Sequence, residues 1–310
     1  MAPLRAHEAN ATPQPDADAR SRRQSYAGDG TGIAVALGGG FSRGFAHLGV
    51  LEVLEQERIP ISAIVGTSIG GLLGAAYADG IPVGKLCELG RQVRVRDFLR
   101  FQSPATSVEA AADKDAPIND RIGRFVREWF QARQVEELPI PTAIVTTDLE
   151  TGAPHVFTRG PLEVAVRASC AFPGLFKPVE YQGRLLIDGC GVAPVPTVVA
   201  ARMNASCVLG VAVGSSHKSV WSGRNVVRVI NRRFRIIHRA MMRPSWTREA
   251  DILLEPEVQQ IDWKDFSRVD EARAAGAEAM RRALPYLRKL LERQSQPRPV
   301  AGAAAEWKAG

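Results

Sequence analysis

Residues 59–78, IPISAIVGTSIGGLLGAAYA, decide the architecture. They carry no charge over a length that would nominally cross a bilayer as one helix. Yet Pro60 stands near the start, and Gly66, Gly70, Gly71 and Gly74 interrupt the run. The apolar period also changes midway, from the continuous strand-like Ala63–Gly66 to a small-residue helical pattern over Ser68–Ala78. The reading is a buried strand, a tight turn and a helix. Gly66-Thr67-Ser68-Ile69-Gly70 sits at the turn as a G-x-S-x-G pentapeptide. Glycines two before and two after a serine remove side chains that would collide with the neighbouring strand and helix, so the hydroxyl stands exposed above a helix N-terminus. Two readings of Ser68 remain open at this point, a nucleophile and a helix N-cap in a glycine-rich turn.

Upstream, Gly38-Gly39-Gly40-Phe41-Ser42-Arg43-Gly44 again follows an apolar strand, Gly32–Leu37, and precedes a helix, Gly44–Glu57. Successive glycines let backbone N–H groups converge on an anion, either a phosphate or a tetrahedral oxyanion. The alternative is merely a tight turn. No G-x-G-x-x-G register fits, and no Gly-Lys-Ser/Thr follows, so neither a dinucleotide fingerprint nor a P-loop is present. Further buried strands are expected at Ala143–Thr147, Leu185–Ile187, Cys207–Val213 and Asp251–Leu254, and a core-covering helix at 270–291. This alternation predicts an α/β fold, a three-layer α/β/α sandwich around a mainly parallel sheet.

The 310 residues are 45% hydrophobic and 24% charged, an ordinary soluble composition that excludes collagen-like and wholly disordered chains. Residues 1–30 read as a disordered leader without a signal peptide, 31–293 as one domain, and 294–310 as a loose tail. Four cysteines without a CxxC pair or His/Cys cluster predict free thiols, no metal site and a reducing compartment.

Five histidines are available, and none stands in a context built for catalysis. Asp188, in contrast, ends the strand Leu185–Ile187 and enters the small-residue loop Gly189-Cys190-Gly191, placing a carboxylate at a strand's C-terminal edge, where α/β sites assemble. Asp148 ends another strand and organises the Glu150-Thr151-Gly152 turn. Ser169 and Cys170 read as packing residues.

Taken together these segments resemble the patatin-like phospholipases, within them the bacterial branch related to the catalytic domain of neuropathy target esterase. The likeness runs from about Gly32 to Ala279. It rests on Gly38-Gly39-Gly40 with Arg43-Gly44, His47-Leu48-Gly49-Val50, Gly66–Gly70, Thr147–Gly152, Ala168–Phe176 and Asp188-Gly189, in family order. The resemblance implies a Ser68–Asp188 dyad needing no cofactor, an oxyanion hole from the amides of Gly39, Gly40 and Phe41, and supporting positions Gly38, Arg43, Gly44, Gly66, Gly70 and Gly189. It implies hydrolysis of fatty-acyl esters of phospholipids or lysophospholipids. Two residues depart from the family pattern: Phe41 stands where a small residue is usual, and Cys190 where Gly or Ala is. Phe41 donates its amide as glycine would where φ is negative.

Two competing readings stay in view. A Ser-Asp-His triad of the α/β-hydrolase kind would use Ser68, Asp188 and His217 or His238, and a non-catalytic acyl-lipid-binding protein would result if Phe41 closed the cradle.

The formal charge of +7 is local. Gly189 to Arg248 contains no acidic residue and carries +10, leaving −3 for the rest. Over residues 224–243 a helical projection puts Val226, Ile230, Phe234, Ile237 and Met241 on one face, with Arg228, Arg232, Arg235, Arg239 and Arg243 nearly opposite. Such a helix, with Trp221 and Trp246 near its ends, either lies on an anionic lipid surface or covers the sheet with its apolar stripe. No helix-turn-helix, zinc or aromatic-interleaved pattern supports nucleic-acid binding. The expected location is the cytoplasm, peripheral to the inner face of the membrane.

Overall fold

A computed structural model describes residues 32–93, 118–173, 175–203, 205–214 and 243–295. In chain order its elements are β1 (Ile33–Leu37), α1 (Ala46–Gln56), β2 (Ile61–Thr67), α2 (Ile69–Ala78), α3 (Val83–Gln92), α4 (Ile118–Trp129), β3 (Thr142–Asp148), β4 (Pro154–Phe157), α5 (Leu162–Ser169), β5 (Val179–Tyr181), β6 (Arg184–Asp188), α6 (Thr197–Ala200), β7 (Cys207–Val211), β8 (Ile252–Leu254) and α7 (Val269–Ser295).

The strands form one eight-stranded sheet in the order β5-β6-β3-β2-β1-β7-β8, with β4 also paired to β3. From β3 to β8 along that path every pairing is parallel, while β4, β6 and β5 join antiparallel. The expected α/β class with a mainly parallel sheet is therefore observed. Two short strands, β4 and β5, lie outside the expected set because three or four residues present too little apolar pattern to stand out.

The central strands alternate by size. Ile33, Val35 and Leu37 point to one face and pack with Leu48, Leu51, Leu73, Tyr77, Met280 and Leu287 from α1, α2 and α7. Ala34 and Ala36 point to the other, beside Ala63, Val65, Ala143, Val145, Ala200 and Trp246. A register irregularity opposite Ile33/Ala34 lets Ile61 and Ile64, three apart, share the first face. On β6 the expectation of a buried strand is corrected, since Leu185 is exposed while Leu186 and Asp188 are buried. That strand is short and antiparallel, flanked on one side only by the three-residue β5.

The expected leader and residues 224–242 lie outside the described residues, as do His217 and His238. The expected helix at 270–291 is observed as α7, Val269–Ser295, and the rest of the expected tail lies outside the described residues. Arg243 is described, half-exposed and paired with Glu255 at 3.2 Å. Trp246 corrects the interfacial expectation: it is buried against the alanine face of the sheet, and its carbonyl accepts from Thr197. No helix among the described residues is long and apolar enough to cross a membrane.

Candidate active site

Sheet register brings the site together. Thr67 lies opposite Val145 on β3, and Asp188 lies opposite Thr146 on the other side of β3. Ser68, one residue beyond Thr67, is thereby level with Asp188 although 120 residues separate them in sequence. Asp188 reaches the C-terminal edge of the parallel strands from the end of an antiparallel one, a correction to the simple parallel picture. β6 runs down from above and stops just inside that edge.

Ser68 occupies φ 56°, ψ −126°, a strained conformation for a residue with a side chain. Its surroundings over-determine it. The Ser68 amide donates to Ser169 Oγ at 2.8 Å, and that hydroxyl donates to the Val145 carbonyl at 2.7 Å. Any Cβ on Gly70 would overlap the Leu37 carbonyl, and one on Gly66 would overlap the backbone of Gly71. With the backbone fixed this way, Ser68 Oγ donates to Asp188 Oδ2 at 2.6 Å. Both residues are buried, at 7% and 3% exposure, so the pair is sheltered from bulk water.

Asp188 is itself held on all sides. Its amide donates to Ala171 O at 3.0 Å, its carbonyl accepts from Thr147 Oγ1 at 2.9 Å, and Oδ1 accepts from the Cys190 amide at 2.8 Å. Burial pushes its carboxyl above the ordinary aspartate range, opposed by the hydrogen bonds from Ser68 and Cys190. A raised carboxylate is a stronger base than an exposed aspartate.

The Gly-rich loop stands across from this pair. A Cβ on Gly39 would collide with Cys190 Sγ and approach Ser68 Cβ to 3.3 Å, which is why this position carries no side chain. The loop's amides divide into two groups. Gly38 donates to Val211 O at 3.0 Å, extending the β1–β7 ladder, and Gly39 donates to Pro194 O at 3.1 Å. The expectation that Gly39 supplies an oxyanion donor is therefore revised, since its N–H is already committed. The amides of Gly40 and Phe41 donate to no acceptor among the described residues. The expectation of a negative φ at Phe41 is corrected: it has φ 51°, the left-handed conformation that glycine adopts without strain. Its ring packs edge-on against Phe172 at 5.4 Å and Trp263 at 4.8 Å, contacts that offset the strain.

Arg43, Ser42 and His47 hold this loop from behind. Ser42 N–H donates to Trp263 O at 3.2 Å, Ser42 Oγ to Asp262 O at 2.9 Å, and Arg43 Nε to Ile261 O at 2.7 Å. Three consecutive carbonyls are thus tied to two consecutive loop residues. His47, fully buried, bonds the Gly38 carbonyl through Nε2 at 2.7 Å, and desolvation lowers its pKa to about 4. A carbonyl only accepts, so the neutral ring carries its proton on Nε2. Neither described histidine of the fold bonds Ser68 or Asp188, His155 instead packing edge-on against Phe157 at 4.6 Å. Among the described residues no group of three or more His, Cys, Asp or Glu side chains is arranged to hold a metal ion.

The family model of the patatin-like phospholipases matches residues 35–201, a span that includes both turns, Ser68 and Asp188. The chain belongs to that family. It is 37% identical over 184 residues to an uncharacterized NTE family protein of Mycobacterium tuberculosis, covering 59% of this chain and 49% of that one. It is 33% identical over 194 residues to human patatin-like phospholipase domain-containing protein 6, covering 60% of this chain and 14% of the human protein. The chain thus spans about half the length of the mycobacterial relative. Among solved structures, VipD from Legionella pneumophila aligns over 85% of this chain and 67% of its own at 11% identity and a TM-score of 0.43.

Ser169 and the 261–263 segment are the site's least legible members. Ser169 reads as packing, its signal only its place in Ala168–Phe176, and Ile261-Asp262-Trp263 with Phe266 resembles a late family segment leading into the core-covering helix. The partners of Ser42 and Arg43 lie about 220 residues away, with no local pattern to announce them.

Proposed function

We propose that this patatin-family chain is a serine hydrolase that cleaves fatty-acyl ester bonds of phospholipids or lysophospholipids through Ser68 and Asp188. The observation that carries the reading is the 2.6 Å hydrogen bond from a strained, buried serine hydroxyl to a buried carboxylate. In this reading Asp188 takes the Ser68 proton as Oγ attacks the ester carbonyl, and the carboxylic acid then passes that proton to the departing alcohol oxygen. The resulting acyl-enzyme is hydrolysed by a water that Asp188 deprotonates in turn. The Gly40 and Phe41 amides serve the oxyanion, each such donor being worth ~3 kcal/mol. A carboxylate is a weaker base than imidazole, and burial raises Asp188 toward the working range.

The acyl-binding reading without catalysis depended on Phe41 closing the cradle. The ring is drawn toward Phe172 and Trp263, which favours the hydrolase. Membrane contact through Arg228, Arg232, Arg235, Arg239 and Arg243 is part of the proposal as a means of reaching lipid, and sedimentation with anionic against neutral vesicles at low and high salt tests it. The catalytic assignment is tested by fatty-acid release from lysophospholipid micelles. Ser68→Ala and Asp188→Asn should each lower turnover by about 10³-fold or more. Wild-type turnover in either variant would overturn the dyad.

A further inference from the structure

Residues 169–171 reach both members of the dyad. Ser169, fully buried as the last residue of α5, accepts the Ser68 amide at 2.8 Å, and two residues on the Ala171 carbonyl accepts the Asp188 amide at 3.0 Å. The Ser169 hydroxyl has one hydrogen and gives it to the Val145 carbonyl at 2.7 Å, so only its lone pairs are left for Ser68. Val145 stands on β3, between the strands that carry nucleophile and carboxylate. It lies opposite Thr67, and a Cβ on Gly189 would overlap its carbonyl. A chain of bonds therefore runs from the strand separating Ser68 and Asp188, through the Ser169 hydroxyl, to the backbone of Ser68. The helix that delivers this hydroxyl is itself fixed, with Leu162, Ala165 and Val166 buried in the core.

We propose that Ser169 is a positioning residue of this site: its hydroxyl holds the Ser68 amide in the orientation that goes with φ 56°, and so keeps Ser68 Oγ within reach of Asp188. The inference rests on the reading of Ser68 as the nucleophile. A buried N–H needs an acceptor, and the cost of orphaning one is of the same order as the strain of a left-handed serine. With the hydroxyl removed, the orphaned amide and the strain push the same way, toward a turn relaxed to negative φ. Ser68 Oγ then leaves the carboxylate, while α2, α5 and the sheet stay in place through their apolar contacts. The loss falls on the reaction rate and spares substrate binding. It also depends on the oxygen itself, since a thiol fills nearly the same space but accepts poorly, whereas threonine keeps both the acceptor and the hydrogen for Val145.

The test is inactivation by a fluorophosphonate, resolved into kinact and KI with the adduct located by mass spectrometry, for wild type, Ser169→Ala, Ser169→Cys, Ser169→Thr and Thr142→Val. Thr142 is the control, a buried hydroxyl that also donates to a carbonyl, Ile140 at 2.7 Å, but at the opposite end of β3. Ser169→Ala and Ser169→Cys should each lower kinact roughly 10- to 100-fold and leave KI within about threefold of wild type. Ser169→Thr and Thr142→Val should inactivate at close to the wild-type rate. A folded alanine variant with wild-type kinact overturns the positioning role. So does a cysteine variant as fast as wild type, which would make filled space sufficient, a folded threonine variant as slow as alanine, or a Thr142→Val slowed equally, which would make the effect general destabilisation. Should the alanine variant not fold, cysteine against Thr142→Val carries the same comparison. If the wild-type adduct is not on Ser68, the nucleophile assignment fails and this inference with it. An adduct on Ser68 with unchanged kinact in Ser169→Ala removes this inference alone.

Discussion

Two strand-to-helix turns sit side by side at the same edge of the sheet, β1 to α1 and β2 to α2, and each contains a non-glycine residue with positive φ, Phe41 at 51° and Ser68 at 56°. They are held by different means. The Ser68 turn is locked mainly by close main-chain approach at Gly66 and Gly70, with one side chain, Ser169, on its amide. The Phe41 turn is held by the Ser42 and Arg43 side chains reaching over 200 residues to the 262 and 261 carbonyls, by a neutral buried histidine and by the rings of Phe172 and Trp263 against Phe41. The first arrangement fixes a nucleophile with little freedom. The second fixes a donor loop through contacts that substitution can vary one at a time.

That contrast predicts graded responses. Gly70→Ala forces a Cβ into the Leu37 carbonyl, which neither β1 nor α2 can vacate, so a destabilisation of about 4 kcal/mol or loss of soluble protein is expected in urea unfolding. Gly39→Ala meets a cysteine side chain instead, and should fold with reduced activity. Equal damage at both positions would break the distinction.

His47 belongs only to the Phe41 turn and gives it a pH dependence. Its folded pKa, about 4, lies below the unfolded value of 6.5, so the unfolded chain takes up a proton first as pH falls. The stability lost through this group appears between about pH 6.5 and pH 4 and amounts to about 3 kcal/mol. Urea midpoints at pH 7 and pH 4 should converge for His47→Gln relative to wild type. An identical pH response in both proteins would contradict the neutral-ring assignment.

Arg43→Ala removes the bond to the buried Ile261 carbonyl and should cost about 2 kcal/mol in thermal or urea unfolding. Turnover should fall further than stability explains, because the Gly40 and Phe41 amides lose their support. The smallest effect separates two substitutions at one site. Phe41→Gly loses the ring contacts and relieves the left-handed strain, while Phe41→Ala loses the contacts and keeps the strain, so the glycine variant should be more stable by about 1 kcal/mol. Alanine equal to glycine would mean that the strain is not there.

The same division explains what the sequence disclosed. The Ser68 turn was legible because its glycines are local and their spacing encodes a close approach. Asp188 was legible as a strand end beside small residues, although its strand's direction was not, since a three-residue apolar run reads the same either way. The Phe41 turn was legible as a glycine loop only. Which amides remain available depends on Pro194 and Val211, and what braces the loop depends on carbonyls at 261–263, all far away in the chain. Backbone carbonyls leave no mark on residue identity, so such partners appear only in three dimensions.

The most direct measurement of the central claim is covalent labelling with a fluorophosphonate at neutral pH, with the modified peptide located by mass spectrometry. The account predicts one adduct, on Ser68, formed by wild type and lost in Asp188→Asn. An adduct on another serine, or Asp188→Asn labelled at the wild-type rate, would contradict it.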